Sequence, residues 1–345
     1  MNELSKRLRS ALQAPSFTST RKSQFFHPSS VSVENYDNGY KQVTGSCLRE
    51  QFYRINNEQI TNAFEPDYMI SAMLGDKVSE LIVQLIDVHG FKMGLQRLAV
   101  EHSFYDPRIN VSGRTDIIAW DSIANEPVGI ELKSVGKYKA DCTIEQPDDT
   151  HVMQSMLYLD YYRAFMPADQ KCPTKWYIWY VARTENWNVK GKKHGSPMTM
   201  LWDYQLTMDA AGIPTIHTPI RKITRNDLKL SNIHKRYSDL ASYLSTSTIP
   251  PRDYDLNYSE EKITTFHKLG KLTRKADIEK VEKWMKKGAP EGKLNLDLGD
   301  FECRNCSWRN KCWDIAAQTP VSTFSSLPEK NTTEKKESSE SEEMW

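Results

Sequence analysis

Gly113-Arg114-Thr115-Asp116-Ile117-Ile118, followed by Gly129-Ile130-Glu131-Leu132-Lys133-Ser134, is the stretch that decides how this chain folds and what it can do. Side chains alternate faces along a strand, so Glu131 and Lys133 project to one side while Ile130 and Leu132 point into a core. Asp116 stands near the end of the preceding strand. Fifteen residues separate it from Glu131, a distance that suits a hairpin returning it beside that carboxylate. Two carboxylates and an ammonium are expected to converge.

Outward from this pair, strand-like text covers 98–104, 109–120 and 128–135, with Asp-Pro and Asn-Glu-Pro punctuation between them, so an antiparallel meander is expected. Before it, Leu74, Val78, Leu81, Ile82, Leu85 and Ile86 fall at the three-to-four spacing of a helix over 68–88 with one buried stripe, stopped by His89-Gly90. After it come a helix over 153–165 and an apolar strand over 176–182. Helix, three strands, helix, strand is a compact mixed α/β unit. Further on, 220–244 and 263–287 read as mainly helical, separated by Ile249-Pro250-Pro251-Arg252.

The chain has 345 residues, 39% hydrophobic, 26% charged and 10% aromatic, enough for one substantial core or two modest ones and unlike a disordered or fibrous protein. Its formal charge of +1 announces no overall field for nucleic acid or membrane. Residues 319–345 hold six Glu and three Lys, which leaves the body at +4. That end reads as a disordered acidic tail, and residues 1–40 as a flexible arm with a short amphipathic stretch near Leu4 to Leu12. No secretory signal is apparent, and the longest apolar stretches, such as 81–86, are too short to span a bilayer. A cytoplasmic protein without a membrane partner is expected, in a compartment where thiols stay reduced.

Asp116 and Glu131 offer hard oxygen ligands for Mg²⁺ or Mn²⁺, with waters and a phosphate oxygen to complete the octahedron. Such a metal activates water and offsets charge developing on phosphate. Lys133 beside it would orient the water or stabilise that charge. The competing reading is a half-exposed strand whose Glu and Lys form a surface pair worth at most about 1 kcal/mol. Gln154 and Tyr158, four apart on the expected helix, share a face. Facing the carboxylates, they could hold a nucleic-acid backbone or a metal-bound water by hydrogen bonds; alternatively the helix is simply amphipathic and Tyr158 belongs to the core with Leu157 and Tyr161.

Cys303, Cys306 and Cys312 form a compact C-x2-C-x5-C run, and Cys47 is the natural fourth member, which would tie the two ends of the fold together. Four thiolates suit tetrahedral Zn²⁺ or an iron–sulphur cluster, and the absence of paired C-x2-C knuckles favours iron and sulphide. Cys142 and Cys172 fit no spacing. The stretches 190–193, 221–236 and 268–287 concentrate basic residues that would track phosphates, with Trp176, Trp179 and Trp308 available for stacking, although apolar neighbours mark most of these Trp as core.

Taken together, Gly113-x-x-Asp116, Glu131-x-Lys133 and Gln154-x-x-x-Tyr158, framed by Cys47 and by Cys303, Cys306 and Cys312, resemble the RecB-like branch of the PD-(D/E)XK nucleases. More narrowly they resemble its iron–sulphur members, such as the AddB nuclease domain and the small nuclease of CRISPR adaptation modules. The resemblance implies a restriction-endonuclease-like α/β/α core over 41–318 with a mixed sheet, closed by a 4Fe–4S cluster on the four cysteines. It also implies metal-dependent cleavage of DNA, with Asp116 and Glu131 on the metal, Lys133 catalytic, and Gln154 and Tyr158 contributing to the site. The family places a metal-binding His on the helix before the strands, four residues after a Gly. Here Ser79 follows Gly75 at that spacing, and the neighbouring Glu80 could substitute as a metal ligand or face solvent. No G-x-x-x-x-G-K-S/T loop occurs, so the nuclease would stand alone, as in phage genomes, or work with a separate helicase or recombination protein in a host cytoplasm. An exonuclease acting on DNA ends or single strands is the leading expectation. A non-catalytic DNA-end-binding module and a structure-specific or RNA-directed endonuclease are the alternatives.

Overall fold

The computed structural model describes residues 24–37, 40–62, 66–167, 170–183, 200–218, 220–272, 274–292, 294 and 296–315. The acidic tail, the loop carrying Lys190, Lys192 and Lys193, and the first part of the arm lie outside the described residues. Among those described, no helix is long and apolar enough to cross a membrane.

The fold is mixed α/β, built on a seven-stranded sheet in the order β3(Leu95–Asp106), β4(Val111–Asp121), β5(Glu126–Val135), β6(Trp176–Ala182), β7(Leu201–Met208), β8(Pro214–His217) and β9(Lys222–Thr224). Only β5 and β6 run parallel. A parallel step needs a long crossover, supplied here by α3(Lys137–Thr143) and α4(Asp149–Phe165). The expected meander is present as β3–β4–β5, each pair antiparallel. In the turn joining β4 to β5, the Asp121 carboxylate accepts from the N–H groups of Ile123 and Ala124.

Alternation along these strands builds two cores, one on each face of the sheet. Ile117, Ala119, Val128, Ile130 and Leu132 pack with Ile82 and Ile86 of α2(Pro66–Met93). On the opposite face Ile118, Trp176, Ile178 and Tyr180 pack with Met153, Met156 and Tyr158 of α4, and with Ile233 and Leu240 of α5(Leu230–Ser245). Gly129 lets Trp176 lie against β5, since a Cβ there would fall 2.2 Å from the indole.

Several expectations are corrected. The helix before the sheet continues past His89-Gly90 to Met93, and Gly94, at φ +72°, forms its end. Gly90 instead lets the Leu95 carbonyl approach to where a Cβ would sit. Only Ile82 and Ile86 of the expected stripe are fully buried; Leu74, Leu81 and Leu85 are exposed, because the helix turns its Gly75 and Ser79 side toward a cavity. The arm ends well before residue 40. Phe26, Val31 and Val33 belong to the main core, and β1(Ser32–Asp37) pairs with β2(Tyr40–Gly45). The stretch 220–244 begins as strand β9 before α5, and 263–287 is divided into α6(Glu260–Lys268) and α7(Lys275–Lys286).

The two ends of the described chain are bound together. The Leu48 N–H, at the start of α1(Leu48–Ile55), donates to Asp253, which also takes Arg236 at 2.5 Å. Near the end, the Ser307 carbonyl accepts from the N–H groups of Thr61 and Asn62, and the Trp308 indole donates to the Glu58 carbonyl.

Candidate active site

The ladder between β4 and β5 stops at Ile117 and Ile130. The next residues in that register are Asp116 and Glu131, directly opposite each other where the strands part. Beyond this fork β4 stays with β3, and β5 with β6. The opening is a cavity of about 910 Å³, lined by Asp116, Glu131 and Lys133 of the sheet, by Gln154 of α4, and by Gly75, Asp76, Ser79 and Glu80 of α2.

One Asp116 carboxylate oxygen accepts from the Leu132 N–H at 2.7 Å, so the acid itself bridges the fork that the backbone leaves open. Lys133 Nζ stands 2.5 Å from Glu131 Oε1 and donates to Gln154 Oε1 at 3.1 Å. Gln154 Nε2 donates to the Tyr158 hydroxyl at 2.6 Å, which donates in turn to the Arg114 carbonyl. The core reading holds for Tyr158, and its hydroxyl end accepts from the Gln154 amide, which in turn reaches Lys133 rather than a carboxylate.

Burial pushes the Asp116 carboxyl up to about 8, and the opposing charge of Glu131 adds to that, against the pull of Lys133 and the Leu132 N–H. Burial also raises Glu131. For Lys133, burial works against the ammonium, but Glu131 and Asp116 outweigh it and hold its pKa above the ordinary value. Glu131 is 1% exposed, and its Oε2 has no hydrogen-bond partner. Two desolvated carboxylates at one spot, one with an orphaned oxygen, suit a hard divalent cation that keeps several waters.

Glu80 borders the cavity, but its carboxylate is taken by Lys77 at 2.7 Å and is largely exposed. Four further residues of the cleft escaped the sequence reading: Asp76, Glu101, Arg114 and Arg183. Arg114 ion-pairs with Glu101 at 3.0 Å, and Arg183 donates to the carbonyl and hydroxyl of Ser71, anchoring α2 to the end of β6. The fifteen-residue spacing from Glu101 to Asp116, repeated from Asp116 to Glu131, is the only trace of this acid in the sequence.

Cys47, Cys303, Cys306 and Cys312 border one small cavity of about 20 Å³. Arg49 reaches Cys312 Sγ at 3.7 Å and the Trp308 N–H donates to Cys306 Sγ at 3.4 Å, the kind of donors that stabilise thiolates. Burial raises Cys47 and Cys303 to about 12 and Cys306 to about 11, so the bare thiols stay protonated. The donor set is soft and suits zinc or iron and sulphide. Among the described residues, no three Cys, His, Asp or Glu side chains are gathered closely enough to hold a single metal ion. Cys142 and Cys172 line no part of this cavity.

Part of the basic text is committed to structure. Arg225 is bound by Asp149 and Asp227, and Arg236 is buried against Asp253 and Glu34, so these two are not free to track phosphates. Trp176 and Trp308 are core, whereas α7 keeps Lys275, Lys280, Lys283 and Lys286 exposed.

No family model matches the chain, and no curated protein matches it.

Proposed function

We infer that this chain is a metal-dependent phosphodiesterase of the PD-(D/E)XK kind that cleaves DNA, acting on ends or single strands. The observation that carries the reading is the fork itself, with Asp116 opposite Glu131 and Lys133 against Glu131, at the open end of a β-β-β-α-β unit. That unit, with α2 before it on one face and α4 on the other, has the order expected of a restriction-endonuclease-like core.

Asp116 and Glu131 would hold Mg²⁺ or Mn²⁺, which when bound would supply Lewis-acid neutralisation of the phosphate and a more acidic water. Of the three N–H donors of Lys133, two are turned to Glu131 and Gln154. The third is left for the attacking water or for the phosphate oxygen on which charge grows. Gln154 and Tyr158 act as positioning residues, fixing that ammonium through the chain that ends on the Arg114 carbonyl. The exposed lysines of α7 supply salt-sensitive attraction for the strand. The four cysteines border one small cavity and, drawn closer together than they stand here, would hold a 4Fe–4S cluster or Zn²⁺ that fastens α1 to the end of the fold.

Digestion of end-labelled single- and double-stranded DNA with and without Mn²⁺ tests this reading. Mononucleotides or a ladder shortening from one end are expected, only with metal. Lys133→Ala should lower single-turnover cleavage by about 10²–10³-fold or more, with DNA affinity nearly unchanged. Cleavage surviving in that variant would remove the assignment.

A further inference from the structure

The registers of β3, β4 and β5 place three acids in one row across the sheet. Glu101 falls between the pairs Val100↔Ile117 and His102↔Thr115, opposite Asp116, and Asp116 stands opposite Glu131. Glu101 has φ +50°, a left-handed conformation in mid-strand that a residue with a side chain adopts only at a cost. It borders the 910 Å³ cavity and also a second one of about 400 Å³. The two cavities share Glu101, Arg114, Asp116 and Gln154. Its side chain is half exposed and held at its tip by Arg114 at 3.0 Å; as it stands it does not close a three-ligand group with Asp116 and Glu131, and it must leave Arg114 to do so. The independent sign of a cation in this cleft is Glu131 Oε2, deeply buried and without a partner.

We propose that Glu101 is the third carboxylate ligand of the divalent cation held by Asp116 and Glu131, in the place that the family resemblance leaves to Glu80. This rests on the nuclease reading of the cleft. The two candidates differ in surroundings. Glu80 lies on the rim with its charge already matched by Lys77. Glu101 lies in the row of acids, close enough for its charge to add to the upward push on both Asp116 and Glu131. The Arg114 ion pair then serves as the parking position of the carboxylate, exchanged for the cation when it binds.

The test is Mn²⁺ binding to the full chain without DNA, by calorimetry and by the loss of the free-ion electron paramagnetic resonance signal. Glu101→Gln should weaken Mn²⁺ binding about tenfold or more, the scale seen when even the outer support of a metal site is removed. Glu80→Gln should leave it within about twofold. Arg114→Ala should keep or tighten it by freeing the carboxylate. Glu101→Gly, which suits the left-handed backbone, is the variant that keeps the fold while removing the ligand, and it should match Glu101→Gln. Unchanged affinity in both Glu101 variants overturns the proposal alone, as does equal weakening by the Glu101 and Arg114 variants. A wild-type chain that binds no Mn²⁺ overturns the nuclease reading together with it.

Discussion

Asp116 concentrates the physical chemistry of the cleft in one side chain. It is buried, faces a second buried carboxylate, and has the Leu132 N–H and the Lys133 ammonium as counterweights. Its pKa rises from an ordinary 3.8 to about 8 in the folded chain. Between those values the folded state binds a proton that the unfolded state releases, so the stability contributed at low pH is lost as pH climbs toward 8. Without added metal, the melting temperature should therefore fall between about pH 5 and 8. Asp116→Asn should flatten that slope, and Mn²⁺ should reverse it by binding the ionised form. Differential scanning fluorimetry across pH, with and without Mn²⁺, reads all three outcomes; a slope unchanged in the Asn variant assigns the titration elsewhere.

At the scale of elements, β5 is the strand on which both cores and the site depend. Its even-numbered apolar residues face α2, and Glu131 and Lys133 face α4. It can do this only because Gly129 admits the Trp176 ring of the parallel neighbour. Gly129→Ala has nowhere to place its methyl except against that indole, and should destabilise the chain by about 1–3 kcal/mol in urea unfolding. A midpoint within error of the wild type would mean that β6 can shift sideways. The same strand shows why pairing ends where it does: beyond Ile130, β5 pairs only with β6, and β4 only with β3.

For the whole molecule, long-range polar contacts fasten segments that the sheet does not reach. Asp253 joins Arg236 of α5, the first N–H of α1 and Lys41 of β2, and both it and Arg236 are almost wholly buried. Removing Asp253 leaves Arg236 with Glu34 at 3.3 Å as its acid partner and takes the acceptor from the Leu48 N–H, so Asp253→Ala should cost about 1–3 kcal/mol by chemical denaturation. In the proposed reading, a metal at the cysteine cavity is the second fastening. Anaerobically purified protein should show visible absorbance and bound iron, or else stoichiometric zinc. Cys303→Ala should lose that metal together with soluble yield and several degrees of melting temperature, because metal binding at such a site is folding free energy. Full absorbance retained after replacement of all four cysteines would remove these ligands from consideration.

By itself the sequence determined the local outcomes that follow from short-range pattern. Strand-like patterning located β4 and β5 and a continuous apolar run located β6, and the fifteen-residue spacing set Asp116 against Glu131 because hairpin register is a local property. The four-residue spacing of Gln154 and Tyr158 put both on one helix face for a similar reason. What only the tertiary structure decided depends on partners far away in the chain. The apolar side chains of α2 did not reveal which of them would be buried, since a helix beside a cavity turns part of its apolar surface outward. Arg225 and Arg236 read as basic text until the acids that neutralise them were brought to them by folding. β8 and β9 carried too few residues for a clear period, whereas the alternation of Tyr204, Leu206 and Met208 in β7 went unread; the place of all three is set by adding to an edge already formed. Glu101 is the sharpest case: an ordinary strand acid in the sequence becomes a member of the row of acids only when three strands come into register.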